Sequence, residues 1–80
     1  PDPAPLLLAA EKTGIAPSRS IYVGDAARDI EAGRAAGMLT IAAAYGYIND
    51  ENPLEWGADH VVANTAELTT YLLKAVNLVG

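Results

Sequence analysis

Met38 to Ala44 (MLTIAAA) is a continuous, almost wholly apolar run of strand length. Alternation is absent from it, so a strand built from it must be covered on both faces. That is the situation of a parallel sheet with helices packed above and below. The flanking segments agree. Ser20-Ile21-Tyr22-Val23 is rich in β-forming residues and is broken by Gly24-Asp25, and Asp59 to Ala63 reads as a third short strand. Pro5 suits the first turn of a helix that Gly14 stops, and a second helix from about Ala26 to Ala36 is closed by Gly37. Asn64 or Thr65 can cap a last helix, with Glu67 as the box partner and with Leu68, Leu72 and Val76 recurring every four residues beside Leu73. Between them, Ala16-Pro17-Ser18 is a connector and Tyr45 to Gly57 a long loop marked by Gly46, Asn52-Pro53 and Gly57. The pattern predicts strands near 20–24, 39–44 and 60–63 and helices near 5–13, 26–36 and 65–77. Such alternation means an α/β fold of three parallel strands joined by right-handed crossovers.

Size is the difficulty for such a fold. Eighty residues make at most one domain, and ordering each costs roughly 1.5 kcal/mol. No cysteine and no Cys/His zinc pattern supplies a staple, and much of the apolar content is alanine, which buries little area. The expectation is a piece of something larger, or a chain that needs a partner. The net charge of −5 argues against nucleic acid, whose phosphates need a basic surface. No apolar run approaches the length of a membrane span and no leader pattern is visible, so the expected setting is the cytoplasm, away from membranes.

The chemistry concentrates at Gly24-Asp25-Ala26-Ala27-Arg28-Asp29. Asp25 stands at the carboxyl end of a parallel strand, where open α/β sheets bind ligands. Gly24 allows a sharp turn and a close approach. Asp29 comes four residues later, on the same side of the turn that opens the helix. Two carboxylates held together repel unless a cation lies between them or one stays protonated. Hard oxygen donors in small number suit magnesium, which keeps several waters and takes one or two carboxylates plus substrate phosphate. The competing reading is that both acids serve the helix start, capping free N–H groups and complementing the dipole. A nucleotide-binding turn is disfavoured, because one glycine and an acid stand where Gly-x-Gly-x-x-Gly is needed.

Other residues divide between site and scaffold. Arg28 can reach a phosphate or lie solvated on its helix. Tyr45, Gly46 and Tyr47 come just after a strand's carboxyl end, either lining the substrate side or packing the loop. Trp56 suits a core plug over the sheet edge, and His60 has no acidic or nucleophilic partner at useful spacing. Asp50, Glu51 and Glu55 read as a solvated acidic loop before they read as a second metal site. Gly33 and Gly37 suit close packing of a helix on the sheet, and Lys12 and Lys74 lie on helices away from the strand ends.

Gly-Asp-x-x-x-Asp after an apolar strand, leading into a small-residue helix that ends Ala36-Gly37-Met38, resembles the fourth motif of phosphatases of the haloacid dehalogenase superfamily. Pro1-Asp2-Pro3-Ala4-Pro5 is similar to the proline-rich tract just after the third-motif lysine of that family. The tract from Gly14 to Tyr22, Trp56-Gly57-Ala58-Asp59 and the Glu67-Leu68 helix extend the likeness over nearly the whole chain. The subgroup resembled is the phosphoglycolate phosphatase-like one; Tyr45-Gly46-Tyr47 and the tract from Asn52 to Ala58 also resemble N-acetylmuramic acid 6-phosphate phosphatases. The resemblance implies the C-terminal half of a Rossmann-like core domain, with the N-terminal half and the cap domain lying elsewhere. It implies Mg2+ as cofactor, a small phosphorylated metabolite as substrate, Asp25 as a metal ligand, and Asp29 and Gly24 as its supports. It also implies that the nucleophile is absent, since nothing matches Asp-x-Asp-Gly-Thr, so the 80 residues alone should be inactive. An unpaired edge at Ser20 to Val23 should then seek the missing half or a second copy. The alternative function is a non-catalytic α/β module that binds a metal or a partner chain.

Overall fold

The computed structural model describes residues 2–46 and 52–79. Three strands, β1 (Ile21–Gly24), β2 (Leu39–Ala43) and β3 (His60–Val62), form one sheet in the order β1-β2-β3, and both pairings are parallel. The helices are α1 (Ala4–Thr13), α2 (Ala27–Ala35) and α3 (Thr65–Val79). Elements and strand direction match the expectation within about two residues. The structure adds three short 3-10 turns, Pro17–Arg19, Ala44–Gly46 and Pro53–Glu55, inside the connector and the long loop. No helix among the described residues is long and apolar enough to cross a membrane.

Helix ends follow local chemistry. Gly14 (φ 75°) closes α1 by donating its N–H to the Ala10 and Glu11 carbonyls, at 3.0 and 3.3 Å. Gly37 (φ 82°) does the same for α2: its N–H reaches Arg34 O and the N–H of Met38 reaches Gly33 O, both at 3.0 Å. Asn64 is the residue that caps α3, its Oδ1 accepting from Glu67 N at 2.8 Å. The Glu67 carboxylate reaches back to the N–H of Ala63, one residue before the cap.

The register fixes the layers. Side chains of paired strand residues share a face, so Tyr22 and Thr40 lie on one face and Val23, Ile41 and His60 on the other. Helix α2 packs on the Tyr22–Thr40 face across β1 and β2. Helix α3 packs on β3 from the opposite side, where the His60 and Tyr71 rings stack at 4.4 Å. That stack gives His60 a structural occupation. Ile30, Ile41, Ala42 and Val62 are fully buried, with Ala10, Ala36 and Ala43 nearly so. Only three of these are larger than alanine, each worth about 1.5–3 kcal/mol when buried. Among the described residues the core is thin, as the alanine content foretold. Ile21 and Val23 remain exposed on β1, one of the two edge strands of the described sheet. Leu73, expected beside the apolar stripe of α3, is 60% exposed and points away from the sheet; the side chain of Val76 lies outside the described residues.

Two long-range contacts hold the sheet where the ladder is incomplete. Thr40, fully buried, donates both its N–H (2.7 Å) and its hydroxyl (3.1 Å) to Asp59 Oδ2. Asp59 N in turn donates to Thr40 O at 3.0 Å, so the residue before β3 extends the pairing of β2 with side-chain atoms. Arg34 donates to the Gly57 carbonyl at 3.0 Å, tying the end of α2 to the loop that leads into β3. Trp56, in that loop, is half-buried.

Gly33 and Gly37 serve different ends. Only Gly33 brings the helix onto the sheet: a Cβ there would meet Thr40 Cγ2 at 2.7 Å and Tyr22 Cδ2 at 3.1 Å. In an open helix, Gly→Ala gains up to about 1 kcal/mol of propensity. Here Gly33→Ala must push α2 off the sheet, and overpacking costs about 1–3 kcal/mol, so the net sign is destabilising. A lowered urea midpoint for Gly33→Ala, measured in the complete natural protein that carries this chain, is the expected outcome; an unchanged or raised midpoint contradicts the packing.

Candidate active-site cleft

At the carboxyl ends of β1 and β2 lies an open cleft of about 290 Å³ lined by Val23, Gly24, Asp25, Asp29, Ala43 and Tyr45. Parallel strands direct it there: β1 ends at Gly24, the chain turns, and α2 begins at Ala27. Larger grooves also lie elsewhere among the described residues, and two of them reach about 470 Å³ each. One runs between α1 and the connector, lined by Leu7, Ala10 and Ile15 among others; the other lies beside α3, between His60 and Lys74. Neither occupies the strand ends where an open α/β sheet binds its ligands, and neither brings two acids together.

Gly24 is buried, and its missing side chain is the reason the two acids meet. A Cβ at position 24 would run into Cβ of Asp29. With hydrogen there instead, Asp29 folds back over the turn and its Oδ2 accepts the N–H of Asp25 at 3.2 Å. The same bond fills the place of a side-chain cap, because α2 is entered through Ala26, which offers none. Asp29 therefore does perform the helix-start duty weighed against a metal role. Asp25 does not: it is exposed, and among the described residues no group donates a hydrogen bond to its carboxylate. One acid orients the turn and the other is open to the cleft.

The donor set is compatible with magnesium. Among the described residues no three His, Cys, Asp or Glu side chains gather into a metal-holding group. Magnesium does not require one, since it retains waters and takes one or two carboxylates beside a phosphate. The open oxygens of Asp25, with Asp29 one hydrogen bond behind, suit that partial share of a coordination shell.

The remaining residues expected at the site separate cleanly. Tyr45 joins the acids in the cleft, 45% exposed. Gly46 ends the 3-10 turn that carries Tyr45. Arg28, expected on the substrate side, is exposed on α2 and does not line the cleft. Successive helix residues point about 100° apart, so the turn that aims Asp29 inward aims its neighbour away. Tyr47, Asp50 and Glu51 lie outside the described residues, and Glu55 is exposed in the Pro53–Glu55 turn. Val23 and Ala43 line the cleft unforeseen; their place at the two strand ends was the available signal.

Gly24→Ala should lower stability by about 1–3 kcal/mol through the collision with Asp29. Asp29→Gly removes the colliding Cβ, so the double variant should be more stable than the two single costs predict. A double-mutant cycle on urea midpoints should therefore show a favourable coupling above about 0.5 kcal/mol. Simple additivity would contradict the contact.

Similarity to known proteins agrees with this geometry. A family model described as haloacid dehalogenase-like hydrolase matches residues 1–43, more than half of the 80. The chain is 53% identical over 77 residues to N-acetylmuramic acid 6-phosphate phosphatase of Pseudomonas aeruginosa, covering 95% of this chain and 34% of that protein. It is 49% identical over 69 residues to phosphoglycolate phosphatase of Xanthomonas campestris pv. campestris, covering 85% and 31%. A crystal structure of a haloacid dehalogenase family hydrolase from Deinococcus radiodurans R1, with bound phosphate and sodium, superposes with a TM-score of 0.82. It shares 29% identity, over 94% of this chain and 34% of that one. The chain spans about a third of the length of the curated relatives it matches. Matched by sequence over more than half its residues and by fold over nearly all of them, it belongs to the haloacid dehalogenase-like hydrolase family.

Proposed function

We propose that this chain supplies the acidic, metal-holding turn of a magnesium-dependent phosphomonoester hydrolase that acts on a small phosphorylated metabolite in the cytoplasm. The observation that carries this reading is the open Asp25 carboxylate at the carboxyl end of β1, with Asp29 fixed behind it and Gly24 making the approach possible. Asp25 would hold the ion directly. Asp29, through the Asp25 N–H, sets the path of the turn and so the direction of the ligand. When bound there, magnesium would supply the positive charge that offsets a phosphoryl group. The two relatives' names give the candidate substrates, phosphoglycolate and N-acetylmuramic acid 6-phosphate.

In this reading the attacking group comes from outside the 80 residues. They form the C-terminal part of a core domain, and the exposed edge of β1 pairs with the remainder of that domain or with a second copy of the chain. The span of about a third of the relatives' length and the exposed Ile21 and Val23 support it.

The test is made in the complete natural protein carrying this chain, with phosphate release monitored across a magnesium titration. Asp25→Asn should reduce turnover by more than 100-fold at every magnesium concentration. Asp29→Asn should cost about 10–100-fold, the range for residues that orient a metal ligand. Wild-type rates in Asp25→Asn would remove Asp25 from the metal site.

A further inference from the structure

Charge is distributed one-sidedly around the cleft. Asp25 and Asp29 stand at the end of β1, Tyr45 lies just past the end of the neighbouring β2, and the remaining lining is Val23, Gly24 and Ala43. The chain has five basic residues, Lys12, Arg19, Arg28, Arg34 and Lys74, and none lines the cleft. Residues 47–51 are Tyr, Ile, Asn, Asp and Glu, so they bring no cation either. Among the described residues this chain thus offers the phosphoryl end of a substrate no cationic side chain, and its acids must attract a cation. The one large group that the described residues offer to the rest of the substrate is the ring of Tyr45, 45% exposed at the cleft.

The position is suited to that task. Gly24 pairs with Ala42, so Asp25 is level with Ala43, and Tyr45 comes two residues later. Neighbouring strands lie about 4.8 Å apart. The ring therefore stands past the acids, where the alcohol portion of a phosphate ester would lie once its phosphoryl group is held beside Asp25. A tyrosine presents an apolar face together with a hydroxyl that both donates and accepts. A sugar ring matches both properties, with C–H groups on its face and hydroxyls at its rim. A phosphorylated two-carbon acid has one methylene to lay there, worth about fourfold in binding.

We infer that Tyr45 is a specificity-determining residue, a platform for the ring of a sugar phosphate, and that it inclines this site toward such substrates over short phosphorylated acids. The inference rests on the proposed phosphomonoester site, but the two fail separately, because Asp25 is read by rate and Tyr45 by a ratio of substrates.

The experiment measures kcat and KM for N-acetylmuramic acid 6-phosphate and for phosphoglycolate in the complete natural protein. Tyr45→Ala should raise KM for the sugar phosphate about tenfold and that for phosphoglycolate less than threefold, with kcat moving less than KM. Tyr45→Trp should restore most of the sugar-phosphate KM, since it keeps an aromatic face. Equal changes in the two KM values, or a tryptophan variant as poor as alanine, would overturn the inference. Should neither ester be hydrolysed, thermal unfolding with magnesium and each ester replaces kinetics. A sugar-phosphate-induced rise in Tm that Tyr45→Ala abolishes supports the platform; no rise, or the same rise in both proteins, refutes it.

Discussion

Gly33 brings α2 down until it touches Tyr22 and Thr40, leaving no space for a side chain between helix and sheet. The start of α2 is thereby held against the carboxyl end of β1, so the turn from Gly24 to Ala27 has little freedom. Within that turn a second glycine repeats the device at smaller scale. Gly24 yields to Asp29, which closes over the Asp25 N–H and leaves the Asp25 carboxylate outward. The candidate site is the consequence of two missing methyl groups, nine residues apart, and of the parallel pairing that aligns them.

A purely structural turn would not need both of these acids. A serine or asparagine at position 26 would cap α2 without adding charge. Instead Ala26 leaves the duty to Asp29, and Asp25 stands beside it with no hydrogen-bond donor among the described residues. A divalent cation would be attracted by both carboxylates. In the proposed reading, a phosphoryl group would approach these carboxylates only with a cation between. The larger grooves lack this arrangement, so size alone is a poor guide to the chemistry of this molecule.

Much of this was legible in the sequence because it depends on local rules. Gly14 and Gly37 mark helix ends through their left-handed backbone, Asn64 and Glu67 mark a helix start, and the apolar run at Met38 to Ala44 demands a strand covered on both faces. The closeness of the two acids was legible for the same reason, since they stand four residues apart on one turn. What remained hidden depends on register between distant segments. Nothing near Asp59 in the sequence says that it completes the ladder of Thr40, nineteen residues away, nor that Arg34 reaches the Gly57 carbonyl across 23. Gly33 and Gly37 looked equivalent, yet one makes a contact and the other a stop. Arg28 and Tyr45 were both candidates for the substrate side, and helical direction against strand-end position separated them.

Divalent-cation binding at the Asp25 turn is tested most directly by substoichiometric Mn2+ in place of Mg2+, with amide resonances observed by NMR in the complete natural protein. The signals from Gly24 to Asp29 should broaden first, and excess Mg2+ should restore them. Broadening centred instead on the acids of other elements, such as Glu11, Glu31 or Glu67, with residues 24–29 unaffected, would contradict a cation held by this turn.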